Sequence, residues 1–358
     1  MKVINIILLV LAVAGVVFCG VMGVQYMNFP AEAYAQELAA IRAETVQTQE
    51  RTRQLEADLA QREAELADDL NKAGADGAAL AGELARLEAK KQETADALAE
   101  AQARVDKMAN IYENTLALRD EYAGKIRQLE DMINAGETDV KICYWTFDDG
   151  PSYHTQEVLD ICRQYGAYVT FFTSREANSS ARDDDPEVER GLLRGAAMGG
   201  HSVQNHTNSH QYAQYGNVYG KGLDSFREQV EIQDQWIYEC TGIKADIFRF
   251  PGGSAWAFAH LSKDGMLSAL EELGYVWVDW SCDIFDNSHA NPDVATEVGN
   301  ALYEIRTLKI AMILSHDWNG NTIAAFQRVL PQLQKEGYIF LPLFSQSWTI
   351  GNTRILFS

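Results

Sequence analysis

Five short polar segments in the second half of the chain carry residue types that perform chemistry. They occupy residues 146–151, 205–210, 249–253, 283–286 and 314–317. Histidine nitrogens and aspartate oxygens bind divalent metals, and further carboxylates or histidines can transfer protons. Each segment follows or ends an apolar run typical of a β-strand. In a parallel α/β barrel such positions meet at the carboxyl ends of the strands, so the pattern predicts one shared site.

Three of these residues have the chemistry of a metal site. His206 and His210 are four residues apart and can share one ion, and Asp149 would complete a His-His-Asp set. This donor set suits Zn²⁺, with Co²⁺, Ni²⁺, Fe²⁺ or Mn²⁺ as substitutes. Three protein ligands leave positions open for water and substrate, which is typical of a catalytic metal. Taken alone, the histidine pair is more typical of a surface turn, and the Asp-Asp-Gly-Pro run of a simple turn.

Three other residues could complete the hydrolysis of an acyl bond. The carboxylate of Asp148 could take a proton from a metal-bound water, and His316 could protonate the departing amine. Arg249 could orient Asp148 through a charge-assisted hydrogen bond. The competing interpretations are that Asp317 merely holds His316 at a strand end and that Arg249 forms a surface salt bridge.

The elements that would position these residues alternate along the chain. Strands are predicted at 142–147, 168–172, 201–204, 246–250, 276–280, 311–314 and 338–343. Helices are predicted at 155–165, 186–197, 223–238, 265–273, 295–307 and 321–336. Alternation of this kind indicates an α/β fold with a parallel sheet, and seven repeats favour a barrel over an open sheet.

The motifs TFDDG, HTNSH, RFPGG, a late aspartate segment and LSH occur in this order within residues 138–345. In this order they resemble the polysaccharide deacetylase (NodB homology) family, carbohydrate esterase family 4. The resemblance implies a distorted (β/α)7 barrel with an open groove for a glycan. It also implies residue roles: Asp148 as base, Asp149, His206 and His210 as metal ligands, Thr207 as a loop support, Arg249 as partner of Asp148, Leu314 in the acetate pocket and His316 as acid.

The fourth motif departs from the family pattern. The family commonly has a tryptophan after the aspartate, whereas here Asn287 follows Asp286. We assign Asp286 as the carboxylate that tunes His316, with Asp283 as the alternative. Three tryptophans are candidates for the missing sugar-stacking surface, each of them equally suited to the core: Trp256, Trp280 and Trp318.

The first 30 residues form a segment of their own. From Ile6 to Val24 the sequence has no charged residue, which is about the length of a membrane-spanning helix. We expect an uncleaved anchor, with a single-pass protein in the cell membrane and an extracytoplasmic catalytic domain. The alternative is a cleaved signal peptide, which would make the protein secreted.

Residues 31–137 have the composition of a coiled-coil stalk, and they precede a deacetylase domain at 138–358. Apolar residues recur with heptad spacing in two runs, 38–66 and 84–133, which are out of phase. A continuous helix and a hairpin turning at 74–77 are both compatible with this pattern. The stalk could form a homodimer, dock a protein partner or act as a spacer.

Composition excludes some functions. The net charge of −21 argues against nucleic-acid binding. The five cysteines have no metal-type spacing, and one or two disulfides or buried free thiols are both expected possibilities. The family resemblance, taken with the expected membrane anchor, implies a metal-dependent hydrolase that removes N-acetyl groups from a cell-surface glycan polymer, with GlcNAc of peptidoglycan as the expected substrate and MurNAc next. The alternatives are an O-acetyl polysaccharide esterase and a non-catalytic glycan-binding scaffold.

Overall fold

The computed structural model describes residues 77–177, 186–210, 218–287 and 292–347, together with positions 61, 64 and 65. The predicted membrane segment at 1–30 lies outside these ranges, and so does nearly all of the first heptad run. Within the described ranges, no helix combines the length and the apolarity that crossing a membrane requires. The chain divides into two compact units, one containing Glu32–Glu121 and the other Tyr122–Ser358.

The helices of the described ranges follow the predicted spacing closely. They are α1 (Gly77–Asn134), α2 (Thr155–Tyr165), α3 (Pro186–Met198), α4 (Leu223–Thr241), α5 (Ser254–His260), α6 (Lys263–Glu272), α7 (Val294–Ile305) and α8 (Gly320–Lys335). Local capping sets several of their ends. The Asp293 side chain accepts a hydrogen bond from the Thr296 backbone N–H at the start of α7. Gly166 ends α2 in the left-handed conformation that glycine adopts without strain.

The strands of the described ranges are short and mutually parallel. They are β1 (Lys141–Asp148), β2 (Thr170–Thr173), β3 (Ser202–Asn205), β4 (Ile247–Phe248), β5 (Val276–Trp277), β6 (Cys282–Asp283), β7 (Ile310–His316) and β8 (Tyr338–Phe340). They lie in the order β5-β4-β3-β2-β1-β7-β6, and β8 pairs with β1. The predicted parallel α/β sheet is confirmed, and among the described strands it forms a barrel that is open between β5 and β6.

Within the described ranges the structure has eight strands, whereas the sequence predicted seven. The additional strand, β6, contains only Cys282 and Asp283 and pairs with β7. Cys282 and Asp283 follow Ser281 and lie in no apolar run of the kind that predicted the equally short β4 and β5. Helix α5 was also missed, because it has only seven residues and follows directly after a Pro-Gly-Gly turn.

The central strand β1 separates two cores. Cys143, Trp145 and Phe147 face the surrounding helices and belong to the larger cluster of buried apolar residues. Ile142 and Tyr144 point to the other face and belong to a second cluster that includes side chains of β2, β4 and β7. This alternation follows from the two-residue period of a strand, and it places Asp148 on the same face as Tyr144.

The end of α1 packs against this second core. Ile126 and Ile133 are buried there, and Tyr122 makes an edge-to-face contact with Phe344, with 5.9 Å between ring centroids. The hydroxyl of Tyr144 donates a hydrogen bond to the buried carboxylate of Glu130 at 2.8 Å. The heptad spacing predicted these helix positions as a seam between helices. Their apolar side chains are instead buried against the sheet of the same chain. A row of apolar residues on one helix face can pack against either a second helix or a sheet.

We expect Ile126→Ala to lower the free energy of unfolding by about 2–5 kcal/mol, because it leaves a cavity between α1 and the sheet. Ile126 is 3% exposed. Urea unfolding followed by circular dichroism measures the change. Gln128→Ala on the exposed side of the same helix turn is the matched control and should change little. Equal stability of the two variants would show that this helix face contributes nothing to the fold.

Candidate active site

The polar segments of the sequence lie at the carboxyl ends of neighbouring strands. Asp148 ends β1 and is the register partner of His316, which ends β7. His206 follows β3 directly, and Arg249 follows β4 directly. Because the strands are parallel, their ends lie along one edge of the sheet. The structure therefore brings together all seven residues that the sequence predicts for the site.

Asp149, His206 and His210 form a compact cluster of ligand-type side chains. One ligand atom from each lies within 4.8 Å of the other two. Oδ1 of Asp149 is 3.6 Å from Nε2 of His206 and 3.3 Å from Nε2 of His210. Both histidines thus turn the same nitrogen toward one carboxylate oxygen, as a shared ion would require. The three side chains fit the donor set of a divalent metal.

The backbone around this cluster has an unusual conformation. Asp149, Thr207 and His210 have positive φ values of 71°, 66° and 47°, in the left-handed region that side chains other than glycine rarely adopt. The hydroxyl of Thr207 accepts a hydrogen bond from the His210 backbone N–H at 3.2 Å. The side-chain oxygen of Asn205 accepts one from the Thr207 backbone N–H at 2.9 Å. These bonds hold a costly conformation that presents the two histidines together.

The tautomer of His206 is set by its neighbour. Nδ1 of His206 lies 2.7 Å from the backbone oxygen of Arg249, so this nitrogen carries the proton and donates it to the carbonyl. Burial lowers the pKa of His206 to about 4, which keeps the ring neutral. Its Nε2 is therefore free of a proton and can act as a metal ligand.

Asp149 is ionised despite being buried. Burial would raise the pKa of its carboxyl, but His210, His316 and His206 outweigh that effect and hold the pKa well below its ordinary value. A carboxylate that stays charged is the form that binds a cation.

Asp148 is paired with a fully buried arginine. Nη1 of Arg249 donates to Oδ1 of Asp148 at 2.8 Å and to the hydroxyl of Thr146 at 2.5 Å. Nη2 donates to the backbone oxygen of Asp279 at 2.9 Å. The other carboxylate oxygen, Oδ2, is 3.7 Å from Nε2 of His206. Arg249 thus occupies one oxygen of Asp148 while the other faces the metal-type cluster, and the surface salt bridge is excluded.

His316 is held by Asp286 and not by Asp283. Nδ1 of His316 lies 2.8 Å from Oδ1 of Asp286, and the His316 backbone N–H donates to Oδ2 of the same carboxylate at 2.7 Å. Burial would lower the pKa of His316, but Asp286 outweighs it and raises the pKa to about 10. Asp283 instead accepts a hydrogen bond from the Phe285 backbone N–H at 2.7 Å.

Asp317 does not hold His316 either. Its carboxylate accepts a hydrogen bond from the hydroxyl of Thr155 at 2.5 Å, and its backbone oxygen accepts one from the hydroxyl of Ser152 at 2.9 Å. A Cβ atom at Gly150 would lie only 2.5 Å from Oδ2 of Asp317. The close approach explains why glycine stands at this position, and it joins the loop after β1 to the loop after β7.

The predicted sugar-stacking tryptophans have different surroundings. Trp280 is half-buried, with its ring 5.9 Å from the guanidinium carbon of Arg249. Trp256 is 40% exposed and packs on the ring of His260. Trp318 is half-buried and donates its indole N–H to Oδ2 of Asp149 at 3.3 Å. The contact between Trp318 and the metal-type cluster was not predicted, and neither was the support from Asn205 and Thr146.

The four cysteines within the described ranges play no part in this cluster. Cys143, Cys162, Cys240 and Cys282 are buried free thiols, which is the second of the two possibilities that the sequence leaves open. Burial raises the pKa of Cys282 to about 12, which makes it unreactive at neutral pH. Cys19 lies in the segment that the structure does not describe.

We expect Asp286→Asn to reduce kcat about 10²-fold or more near neutral pH, because a smaller fraction of His316, the predicted general acid, then carries the proton that it must donate. The neutral amide cannot raise the pKa of His316, so the imidazole loses its proton at lower pH than in the wild type. In a plot of kcat against pH, the alkaline limb should therefore move to lower pH. Measurement of kcat over a series of pH values tests this. Zn²⁺ affinity should stay unchanged. An unmoved alkaline limb would contradict a role of Asp286 in setting the proton on His316.

The arrangement can hydrolyse an acyl bond. It combines a metal-type cluster, a carboxylate that can accept a proton beside His206 and an imidazole that can donate one beside Asp149. The site thus defines an enzyme of the hydrolase class.

Comparison with known proteins narrows this class. A family model described as polysaccharide deacetylase matches residues 135–278. A peptidoglycan-N-acetylglucosamine deacetylase of Bacillus cereus is 31% identical over 208 residues, which cover 56% of this chain and 85% of that protein. A second B. cereus protein of the same name is 28% identical over 204 residues, covering 56% and 68% of the two chains. The chain belongs to the polysaccharide deacetylase family.

A solved structure agrees with this assignment. The catalytic domain of a peptidoglycan N-acetylglucosamine deacetylase from Eubacterium rectale superimposes with a TM-score of 0.51 and 27% sequence identity. The match covers 58% of this chain and 90% of that domain. The predicted family is thereby confirmed. The predicted enzyme class, a polysaccharide deacetylase, is confirmed as well.

Proposed function

We propose that this enzyme removes the N-acetyl group from GlcNAc residues of peptidoglycan, using a bound divalent metal, and releases acetate. The observation that carries the proposal is the Asp149–His206–His210 cluster, with Asp148 beside one histidine and His316 beside the aspartate. The names of the similar Bacillus cereus proteins support the choice of polymer and sugar.

Asp149, His206 and His210 would hold the metal, with Zn²⁺ as the expected ion. When bound, the ion would lower the pKa of a water molecule and polarise the acetyl carbonyl group. The buried position of Asp149 and His206 keeps bulk water away, which strengthens the interaction between the carboxylate and a cation.

Asp148 is the proposed general base. Arg249 binds its Oδ1, so the carboxylate cannot rotate freely and Oδ2 stays directed toward the cluster. In the first step Oδ2 takes a proton from the attacking water, the water oxygen forms a bond to the acetyl carbon, and the π electron pair of the carbonyl group moves to the carbonyl oxygen. The guanidinium of Arg249 is fully buried, so this pairing lies away from bulk water.

His316 is the proposed general acid. Asp286 occupies its Nδ1, so Nε2 is the nitrogen left to face the substrate, and it lies 4.0 Å from Oδ2 of Asp149. In the second step the electron pair on the former carbonyl oxygen re-forms the C=O bond, the C–N bond breaks, and Nε2 donates its proton to the departing nitrogen. The acetyl group leaves as acetic acid, which ionises to acetate, and the sugar retains a free amine. The raised pKa of His316 keeps this proton in place at neutral pH.

Digestion of isolated peptidoglycan by the purified chain tests the proposal. Mass spectrometry of the fragments should locate a lost acetyl group on GlcNAc, and free acetate should accumulate in equal amount. A chelator should stop the reaction, and added Zn²⁺ should restore it. Loss of acetyl groups from MurNAc, or from O-acetylated xylan alone, would contradict the proposed substrate.

We further propose that the enzyme acts outside the cytoplasmic membrane, held there by residues 1–30. The uncharged stretch from Ile6 to Val24 and the location of the proposed polymer support this placement. Cell fractionation combined with protease treatment of intact cells tests it. Recovery of the protein in the cytosol, protected from protease, would contradict it.

A further inference from the structure

Trp318 contacts the one oxygen of Asp149 that does not face the paired histidines. Oδ1 of Asp149 is the oxygen near His206 and His210, at 3.6 and 3.3 Å. The indole Nε1 of Trp318 donates to Oδ2 at 3.3 Å. The two oxygens of one carboxylate thus have separate surroundings.

The position of the indole is fixed by the residues on both sides of it. Asp317 is bound by the hydroxyls of Thr155 and Ser152. Asn319 donates its side-chain N–H to the backbone oxygen of Asp286 at 3.0 Å, and its side-chain oxygen accepts from the Asn321 backbone N–H at the start of α8. The Trp318 ring also lies beside the His316 ring, with 5.4 Å between centroids. A side chain anchored in this way can position another.

The chemistry of the indole suits this position. Its N–H is a donor only and does not titrate, so it interacts favourably with a carboxylate at every pH of interest. A donor that occupies one carboxylate oxygen leaves the other to bind a cation. It also competes with His316, whose Nε2 lies 4.0 Å from the same Oδ2. The proton of His316 thereby remains available for another acceptor.

We propose that Trp318 is a positioning residue of the metal site, whose indole N–H holds Oδ2 of Asp149 and leaves Oδ1 for the metal that Asp149, His206 and His210 would bind. This inference rests on the proposed function, since it assumes that Asp149, His206 and His210 hold a metal. It assigns Trp318 a role other than sugar stacking.

Metal binding by four forms of the full chain tests the inference: wild type, Trp318→Phe, Trp318→Ala and Trp256→Phe. Phenylalanine keeps an aromatic ring and removes only the N–H, whereas alanine removes both. Trp256 lies on the ring of His260, and its substitution serves as the matched control for losing an indole N–H. Zn²⁺ affinity is measured by competition with a chromogenic chelator, and the visible spectrum of bound Co²⁺ reports the ligand geometry.

We expect both Trp318 variants to bind Zn²⁺ about 10–100-fold more weakly than wild type, as for other residues that support metal ligands. Their Co²⁺ spectra should also change, and Trp256→Phe should match wild type. Unchanged affinity and spectrum in Trp318→Phe would overturn the inference, and so would a loss confined to Trp318→Ala, which would indicate ring packing. If the wild type itself bound neither ion, the metal site of the proposed function would fail, and this inference with it.

Discussion

His206→Ala is expected to abolish metal binding and to reduce kcat/KM by at least about 10³-fold. The substitution removes the ligand nitrogen that lies 3.6 Å from Oδ1 of Asp149. A metal ion supplies several kcal/mol of transition-state stabilisation in hydrolysis, and each 1.36 kcal/mol is a factor of about ten in rate. Released acetate measures the activity, and elemental analysis of the purified protein measures the metal.

Thermal unfolding separates loss of the site from loss of the fold. Wild-type protein should unfold at higher temperature when Zn²⁺ is added, because a ligand that binds only the folded state stabilises it. His206→Ala should show no such rise, whereas His154→Ala, which changes a half-buried histidine paired with Glu157, should behave as the wild type. A His206→Ala variant that kept both its metal and its activity would disprove the assignment of this ligand.

Asp148→Asn is expected to lower kcat by about 10²–10⁴-fold while leaving Zn²⁺ bound. The amide has the size of the carboxylate but cannot accept the proton of the attacking water. It also leaves the fully buried guanidinium of Arg249 without its counter-charge, since Nη1 of Arg249 is 2.8 Å from Oδ1 of Asp148. The free energy of unfolding should fall by about 3–5 kcal/mol for this reason.

Activity must therefore be referred to the folded, metal-loaded fraction of each preparation. Asp246→Asn is a matched control, because Asp246 is a half-buried carboxylate that accepts hydrogen bonds from Gln204 and Ser345 away from the cluster. It should retain the activity of the wild type. Full activity in Asp148→Asn would exclude this residue as the base, and loss of metal in that variant would show that it is a ligand instead.

The fold was largely predictable because its elements have strong local signals. The predicted helix at 155–165 matches α2 (Thr155–Tyr165), and most other helix ends were within about three residues. Caps such as Asp293 and turn residues such as Gly166 act within one or two helical turns, so the sequence itself contains them. The two-residue strand β6 was missed because its pairing with β7 depends on a distant part of the chain.

The role of the α1 stripe could not be predicted from its spacing. Ile126 and Ile133 recur with the heptad period whether their partner is a second helix or a sheet. Only the folded chain places them against Tyr144 and the inner face of the sheet. Tyr144 lies four residues before Asp148 on β1, which places this packing about 13 Å from the site along the strand.

For the candidate site, the sequence alone determined the chemical inventory and its order. Parallel strands bring their carboxyl ends together, so motifs after successive strands had to meet there, and the ligand-type residues followed from their chemistry. Only the tertiary structure decided which groups touch. Asp286 contacts His316, whereas Asp283 does not. The indole of Trp318 contacts Asp149. Such choices depend on contacts of about 3 Å between loops far apart in sequence, a distance that residue spacing along the chain does not encode.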